Sequence, residues 1–276
     1  MSKASKLWVL ALGIGLIFQH ACWAQNKDIG QLIANNKGYV SNAYPKSNLI
    51  QSFSVMEPGI VLTPVFGGIY MAGWNKWLIK PSVNNKIQSI NYCRADSIIQ
   101  FIALDSTKAS LYFVDNVNNE TVIKSVATLE RGIYDLKAIS SGLIWIWGQK
   151  SGKWTLWRYA SSKLREIYST NQVIVDVDII NSDNIILATA NSIITVGVYR
   201  KPVEIINTTS HIDGLALHHD GTLFVSTHQG VVQYLSPESD SDAEVITYGI
   251  HGRLKRFKNK LYILWKENNT VLELNI

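Results

Sequence analysis

The sequence predicts an all-β fold made of repeated four-stranded units. The clearest unit covers residues 211–249 and contains four short apolar runs separated by turns. Two of these turns, Asp220-Gly221 and Gln229-Gly230, supply the glycine that tight hairpins need. The nine Trp and twelve Tyr of the chain, together with many β-branched residues, suit pleated strands better than helices.

The second apolar run of this unit has counterparts along the chain, spaced by 42, 32, 42, 38 and 38 residues. The matching positions are Ile69, Leu111, Leu143, Ile185, Leu223 and Leu261. Periods near 40 residues with about four strands each are typical of β-propeller blades. We therefore expect a six-bladed β-propeller. Seven blades are possible if residues 28–44 form a degenerate blade, and a pair of β-sandwiches is the alternative fold.

The last unit of the chain is one strand short. Its three expected strands cover residues 253–257, 261–266 and 270–276, and an open blade would leave strand edges exposed. Residues 49–55 have strand character and precede the first unit. We expect them to pair with residues 271–274 and so to close the ring.

The first 24 residues have the pattern of a secretory signal peptide. Lys3 and Lys6 precede an apolar run over residues 7–18, and the small residues Cys22 and Ala24 suit cleavage after Ala24. The run is shorter than the ~20 residues of a membrane-spanning helix, although a short anchor is the alternative. We expect a signal peptide over 1–24, an extension over 25–48 and a secreted or periplasmic propeller over 49–276, with no transmembrane segment in the mature chain.

Charge and cysteine content narrow the class of partner. The formal net charge of +5 includes Lys3 and Lys6, and no Lys/Arg cluster follows them. Nucleic acid is therefore not an expected partner. The mature chain keeps one cysteine, Cys93, which cannot form an internal disulfide, and its apolar neighbours predict a buried, inert thiol.

Residues 214–225 carry a more specific resemblance. An apolar strand ends in the turn Asp220-Gly221 and leads into a second apolar strand, as in the blades of NHL and SMP-30-like propellers, which this unit resembles. The resemblance implies a propeller fold. SMP-30-like lactonases hold a divalent metal with an acidic residue and Asn or Asp side chains on inner strands, and no such set can be assigned in this sequence.

Candidate site residues follow from the propeller geometry. Loops between blades and turns between second and third strands share one face, where ligands usually bind. Three histidines are expected there, and they could bind a transition metal or act as acid and base, although their spacing matches no metal motif. These are His211, His228 and His251.

Two further groups are expected on this face or in the channel. Charged residues could bind a small anionic or zwitterionic ligand, or could pair with each other and seal the channel; they are Asp135, Asp176, Asp213, Arg94, Arg131 and Arg253. Trp147 and Trp154 flank the loop at residues 148–152, and Trp74 is expected in the matching loop of the first blade. These rings either pack in the core or contact a sugar or a protein.

No nucleophile elbow, phosphate loop or metal motif occurs in the sequence. The leading interpretation is therefore a non-enzymatic binding or scaffold propeller that needs no cofactor and engages an envelope or extracellular protein or small ligand. The alternative is a metal-assisted lactonase- or esterase-type hydrolase of the SMP-30-like kind, with a divalent metal near the histidines or channel aspartates. A carbohydrate-binding propeller is the second alternative. The sequence does not indicate an oligomeric state.

Overall fold

Six antiparallel four-stranded sheets form a propeller ring. The computed structural model describes residues 40–45, 49–57, 59–81, 86–117, 120–235 and 243–276. The six-bladed prediction is confirmed, and the β-sandwich alternative is wrong. The predicted signal peptide and its cleavage site after Ala24 lie outside the described residues. Within them, no helix is both long and apolar enough to cross a bilayer.

The strands fall into the blades in chain order. Blade 1 contains β2 (Ile50–Met56), β3 (Gly59–Pro64), β4 (Ile69–Met71) and β5 (Lys76–Ile79). Blade 2 contains β6 (Lys86–Cys93), β7 (Ile98–Leu104), β8 (Lys108–Val117) and β9 (Glu120–Glu130). Blade 3 contains β10 (Tyr134–Ser140), β11 (Leu143–Lys150), β12 (Lys153–Ala160) and β13 (Lys163–Thr170).

Blade 4 contains β14 (Ile174–Ile179), β15 (Asn184–Thr189), β16 (Ser192–Gly197) and β17 (Val203–Asn207). Blade 5 contains β18 (Ile212–Leu217), β19 (Leu223–Thr227), β20 (Gly230–Tyr234) and β21 (Ala243–Tyr248). Blade 6 contains β22 (Arg253–Phe257), β23 (Lys260–Trp265), β24 (Thr270–Asn275) and β1 (Val40–Pro45).

The first strand of each blade is the inner strand that lines the central channel. We call the face where inner strands begin the upper face; it also carries the blade-to-blade connections and the turns between second and third strands. The lower face carries the turns between first and second strands and between third and fourth strands. This division decides which candidate residues can meet.

The ring is closed by a different strand from the one expected. β1 pairs antiparallel with β24, for example Tyr44 opposite Val271, which confirms closure by an N-terminal strand. Residues 49–55 instead fall in β2, the inner strand of blade 1. Ser52 and Ser54 are buried within this apolar stretch, as expected for polar residues of a strand that lines the channel. The propeller therefore begins before residue 49.

The repeat was also matched out of step in the first two blades. Ile69 and Leu111 lie in the third strands β4 and β8, whereas the other four matched positions lie in second strands. Second and third strands are similarly apolar here, so periodicity finds a strand without fixing its rank in the blade. Residues whose loops were assigned by counting from these two positions are therefore expected at the wrong place in the blade.

The core lies between blades because each sheet buries both faces. Trp145 and Trp147 of β11 pack toward blade 4 with Leu187. Trp157 and Tyr159 of β12 pack toward blade 2. Trp145 and Trp147 are at most 1% exposed, so these aromatic side chains serve mainly as blade-to-blade contacts.

The approach of blades 5 and 6 depends on a glycine. A Cβ on Gly214 would lie 2.6 Å from the Gly252 carbonyl oxygen and 2.9 Å from Arg253 Cα. Both are backbone atoms, so the inner strands β18 and β22 would have to separate. We expect Gly214→Ala to lower the free energy of unfolding by about 1–3 kcal/mol, measured by denaturant titration.

The matched control is Gly142→Ala in an exposed turn, where a Cβ meets nothing closer than Ser140 Oγ at 3.9 Å. This variant should stay within about 0.5 kcal/mol of the parent. Equal stability of the two variants would contradict the close approach of the inner strands.

Candidate functional site

The inner strands share a β-bulge near their upper ends. In four of them the pairing with the second strand shifts by one residue, between Ile50 and Ser52, Ile87 and Ser89, Ile174 and Asp176, and Ile212 and Gly214. Bulges of this kind bend a strand and redirect its side chains. The residue after the bulge is polar or glycine in every case.

Polar side chains of the inner strands also contact the next blade. In four cases such a side chain, either the residue after the bulge or the one two positions on, accepts a hydrogen bond from a backbone N–H of the following inner strand. The four pairs are Tyr92 N to Ser54 Oγ at 2.8 Å, Leu136 N to Ser89 Oγ at 3.3 Å, Leu215 N to Asp176 Oδ2 at 3.1 Å and Leu217 N to Asp178 Oδ2 at 2.9 Å. The channel is therefore lined with acceptors that belong to the framework.

One ion pair crosses the channel from blade 6 to blade 3. Arg253 Nη1 donates to Asp135 Oδ2. Asp135 is 5% exposed and also accepts from Ser89 Oγ and from Leu136 N. Burial alone would raise the pKa of Asp135, but Arg253 and Lys255 hold it below its usual range. We call Asp135–Arg253 the cross-channel ion pair.

The neighbouring carboxylates behave differently. Burial raises the pKa of Asp176 to about 6, although Lys255, Lys137 and Arg253 act in the opposite direction. Asp178 forms an ion pair with Lys137, with Nζ 2.6 Å from Oδ2. The candidates Asp135 and Asp176 therefore hold the channel together rather than project into open solvent.

A cavity of about 420 Å³ opens on the upper face, and we call it the upper pocket. It is bounded by the starts of the inner strands of blades 4 to 6 and by turns of blades 3 and 6. Its lining residues are Trp154, Val173, Ile174, Val175, Asp213, His251, Gly252, Arg253, Lys266 and Glu267. Charges of both signs thus meet beside an aromatic ring.

An Asp–His pair lies at the centre of this lining. His251 Nδ1 is 2.9 Å from Asp213 Oδ2, and its Nε2 is 3.5 Å from Glu267 Oε1. His211 approaches the other oxygen of Asp213 at 3.5 Å from a more exposed position. Burial, and next the charge of Arg253, lower the pKa of Lys266. The pocket can therefore offer an imidazole and two cations to one ligand.

The structure brings together part of the predicted site. His251, Asp213, Arg253 and Trp154 line the upper pocket, and His211 contacts it through Asp213. His228 is exposed in the turn between β19 and β20, and Arg131 is exposed in the connection between blades 2 and 3. Neither residue is part of the pocket lining.

Two placements were wrong. Arg94 follows the inner strand β6 and lies on the lower face, and Trp74 lies in the 3-10 turn Ala72–Trp74 between β4 and β5, also on the lower face. Both errors come from the mismatched first two blades. Trp147 is 1% exposed in the core, so the three Trp residues cannot form one sugar-binding surface. Cys93 is buried as expected, and burial raises the pKa of its thiol.

The residues of the channel do not fit a divalent metal. Among the described residues, no three His, Cys, Asp or Glu side chains come together as a ligand set. Asp135 is already bound to Arg253, and Asp176 and Asp178 accept backbone N–H groups. A cation at this site would also be repelled by Arg253, Lys255 and Lys137. The three predicted histidines are likewise not gathered around a common point.

Lys266 and Glu267 were missed by the sequence interpretation, which assigned Lys266 to a strand. They open the 3-10 turn Lys266–Asn268 between β23 and β24, and Asn269 follows with a φ of 51°. The polar run at residues 266–270 is the signal that could have found this turn. It occupies the same place in blade 6 as His228 does in blade 5.

The fold of this chain is similar to that of known structures, whereas its sequence matches no family model. No family model matches the chain, and no curated protein matches it significantly. A gluconolactonase from Xanthomonas campestris superposes with a TM-score of 0.62 at 10% identity, covering 86% of this chain and 91% of that chain. The chain shares the fold of SMP-30-like propellers.

Two other structures extend this likeness. The calcium-binding protein regucalcin from Agrobacterium tumefaciens gives a TM-score of 0.61 at 11% identity, covering 87% of this chain and 93% of that chain. The PQQ-bound aldose sugar dehydrogenase from Streptomyces coelicolor gives 0.58 at 8% identity, covering 86% and 97%. These proteins differ in chemistry, so the likeness establishes the propeller and leaves the reaction to the residues.

The raised pKa of Asp176 predicts a pH dependence of stability. The folded carboxyl titrates near 6 and the unfolded one near 3.8, so the folded state binds the extra proton between these values. The free energy of unfolding should fall by about 2 kcal/mol as the pH rises from 4 to 6, and by about 3 kcal/mol in all between acid pH and pH 7.

The measurement is urea unfolding of wild type and Asp176→Asn at several pH values. Asn keeps the shape but cannot titrate, so the wild-type curve should lose more stability across this window than the variant curve, whatever their absolute values. Parallel curves for the two proteins would show that Asp176 ionises normally.

Proposed function

We propose that the upper pocket binds a small lactone or ester and hydrolyses it, with His251 as general base. The observation that carries this proposal is the Asp213–His251 pair beside Arg253 and Lys266 in one cavity. A volume of about 420 Å³ suits a small ligand. The gluconolactonase among the structural neighbours supports the lactonase alternative over a non-enzymatic scaffold, at the level of fold.

The geometry gives each group a role. When Asp213 accepts the proton on His251 Nδ1, the lone pair of Nε2 faces the pocket and can take a proton from water. The water oxygen then attacks the carbonyl carbon, and the resulting oxyanion is stabilised by Arg253 and Lys266. The C–O bond of the ester breaks, and the imidazolium returns its proton to the leaving oxygen. The product is a hydroxy acid or an acid and an alcohol.

This reaction needs no metal, which separates it from the metal-assisted form of the alternative. The channel carboxylates that could hold a cation are engaged by Arg253 and by backbone N–H groups. Arg253 and Lys266 stabilise the oxyanion, which is the role that a metal ion would have as a Lewis acid. The proposal therefore keeps the substrate class of the lactonase alternative and changes the means of catalysis.

Binding without reaction is the second candidate function. Glu267 Oε1 lies 3.5 Å from His251 Nε2, and a carboxylate that keeps this position would occupy the atom that the base needs. The pocket would then hold a small anionic or zwitterionic ligand through Arg253, Lys266 and Asp213. Carbohydrate recognition by three Trp residues has less support, because only Trp154 lines the pocket.

We further propose that the protein acts outside the cytoplasm. The basic start, the apolar run at residues 7–18 and the small residues before Gln25 support export. A substrate would then be an extracellular or periplasmic lactone. Detection of the cleaved N-terminus at Gln25 in an exported fraction would test this placement.

The decisive experiment measures hydrolysis of a panel of sugar lactones and simple γ-lactones by pH-stat at pH 7.5, above the spontaneous rate. We expect His251→Gln and Asp213→Asn to lower kcat by about 10²–10⁴, since general-base assistance is removed. His219→Gln, in the lower-face turn between β18 and β19, is the matched control and should leave kcat unchanged. EDTA should also have no effect.

The outcomes separate the candidates. No hydrolysis of any panel member, together with calorimetric binding that Arg253→Met weakens, would support the binding module and overturn catalysis. Activity that EDTA abolishes and a divalent ion restores would overturn the metal-free mechanism in favour of the metal-assisted one.

A further inference from the structure

A second cavity lies at the other end of the channel and is strongly basic. It encloses about 270 Å³ and lies where the inner strands of blades 1, 2, 3 and 6 end. We call it the lower cavity. Five of its lining residues are basic and none is acidic: Arg94, Lys137, Lys255, Arg256 and Lys258. Such a concentration of positive charge attracts anions.

Most of these cations already have partners. Lys137 pairs with Asp178, and Lys258 pairs with Glu57 across the seam between blades 6 and 1. Arg256 donates to the carbonyl oxygens of Leu217 and Lys258. The guanidinium of Arg94 lies 5.6 Å from the ring centre of Phe257, which leaves its N–H groups available to a ligand.

Lys255 is the exception. It is only 8% exposed, and among the described residues none forms an ion pair with its Nζ or accepts a hydrogen bond from it. A buried ammonium without a partner is costly, and native proteins rarely leave one uncompensated. Burial, followed by the nearby charge of Lys137, lowers the pKa of Lys255, and Asp135 and Asp176 offset this only in part. Those two carboxylates are occupied by other donors.

We propose that the lower cavity is a binding site for a small oxyanion, held by Lys255 with help from Lys137 and Arg94. Oxyanions accept several charge-assisted hydrogen bonds at once. Ser54 Oγ accepts from Tyr92 N, so its hydroxyl proton is available to the same ligand. A cavity of this size admits a ligand of few atoms, such as phosphate, sulfate or a carboxylate head group.

This site is separate from the proposed reaction. The cross-channel ion pair lies between the two cavities, since Arg253 lines the upper pocket while Lys255 lines only the lower cavity. A test can therefore disprove anion binding in the lower cavity without affecting hydrolysis in the upper pocket, and the reverse.

The test is isothermal titration with inorganic phosphate and, separately, with acetate, in chloride buffer of matched ionic strength. Thermal unfolding under the same conditions gives a second readout. We expect saturable binding of at least one anion and a matching rise in Tm. The two arms distinguish a tetrahedral oxyanion from a carboxylate.

Lys255→Met keeps the length of the side chain and removes its charge, so it should weaken anion binding at least about 10-fold, as expected for loss of a charged hydrogen bond. The matched control is Lys163→Met, an exposed lysine on the same face in β13, which should bind like wild type. If Lys255→Met does not fold, Lys255→Gln replaces it. Equal binding by wild type and the Lys255 variant, or a Tm rise that chloride reproduces, would overturn the proposal.

Discussion

The open edge of the inner strands is the constraint on which the rest of this propeller depends. Each inner strand pairs on one side only, so its other edge presents backbone N–H groups that would be unsatisfied inside the ring. Side chains of the preceding blade accept them, as Ser54 does for Tyr92 and Asp176 does for Leu215. In the case of Asp176, the side chain directly follows the bulge near the start of its strand. Polar residues in the channel are thus a requirement of the fold.

The charge pattern of the channel follows from that requirement. Where the acceptor is a carboxylate, burial brings a negative charge into the ring, and cations from opposite or adjacent blades compensate it. Arg253 reaches Asp135 from the facing blade, and Lys137 reaches Asp178 from the preceding blade. Since the Arg253–Asp135 pair crosses the axis, it lies between an upper pocket of mixed charge and a lower basic cavity. Among the described residues of the channel, Lys255 is a buried cation without a direct partner.

The sequence contained enough to predict the fold and only part of the site. The 40-residue period found a strand in all six blades, because every blade buries both faces and its apolar runs are long. The period could not show whether Ile69 and Leu111 lie in the second or the third strands of their blades. Because of this error, Arg94 and Trp74 were expected on the wrong face of the propeller. An Ile-x-Ser/Asp pattern recurs at Ile50, Ile87 and Ile174 in inner strands, but it also occurs at Ile123 and Ile167 in outer strands, so it does not rank a strand by itself. His251 and Asp213 lie 38 residues apart in the sequence, in adjacent blades, and no local sequence pattern reveals that they pair.

The cross-channel ion pair also makes the channel of this chain a poor site for a divalent metal. A divalent ion near the axis needs carboxylates with free lone pairs and low positive potential. In this chain Arg253 and the backbone N–H groups take those lone pairs, and Lys137 and Lys255 raise the potential. Displacing them would leave buried cations without partners and inner-strand N–H groups unsatisfied, and both carry a free-energy cost. Side chains that the framework does not engage are therefore the ones left for a ligand, and His251 on the upper face is among them, next to Arg253, which serves the framework and also lines the upper pocket.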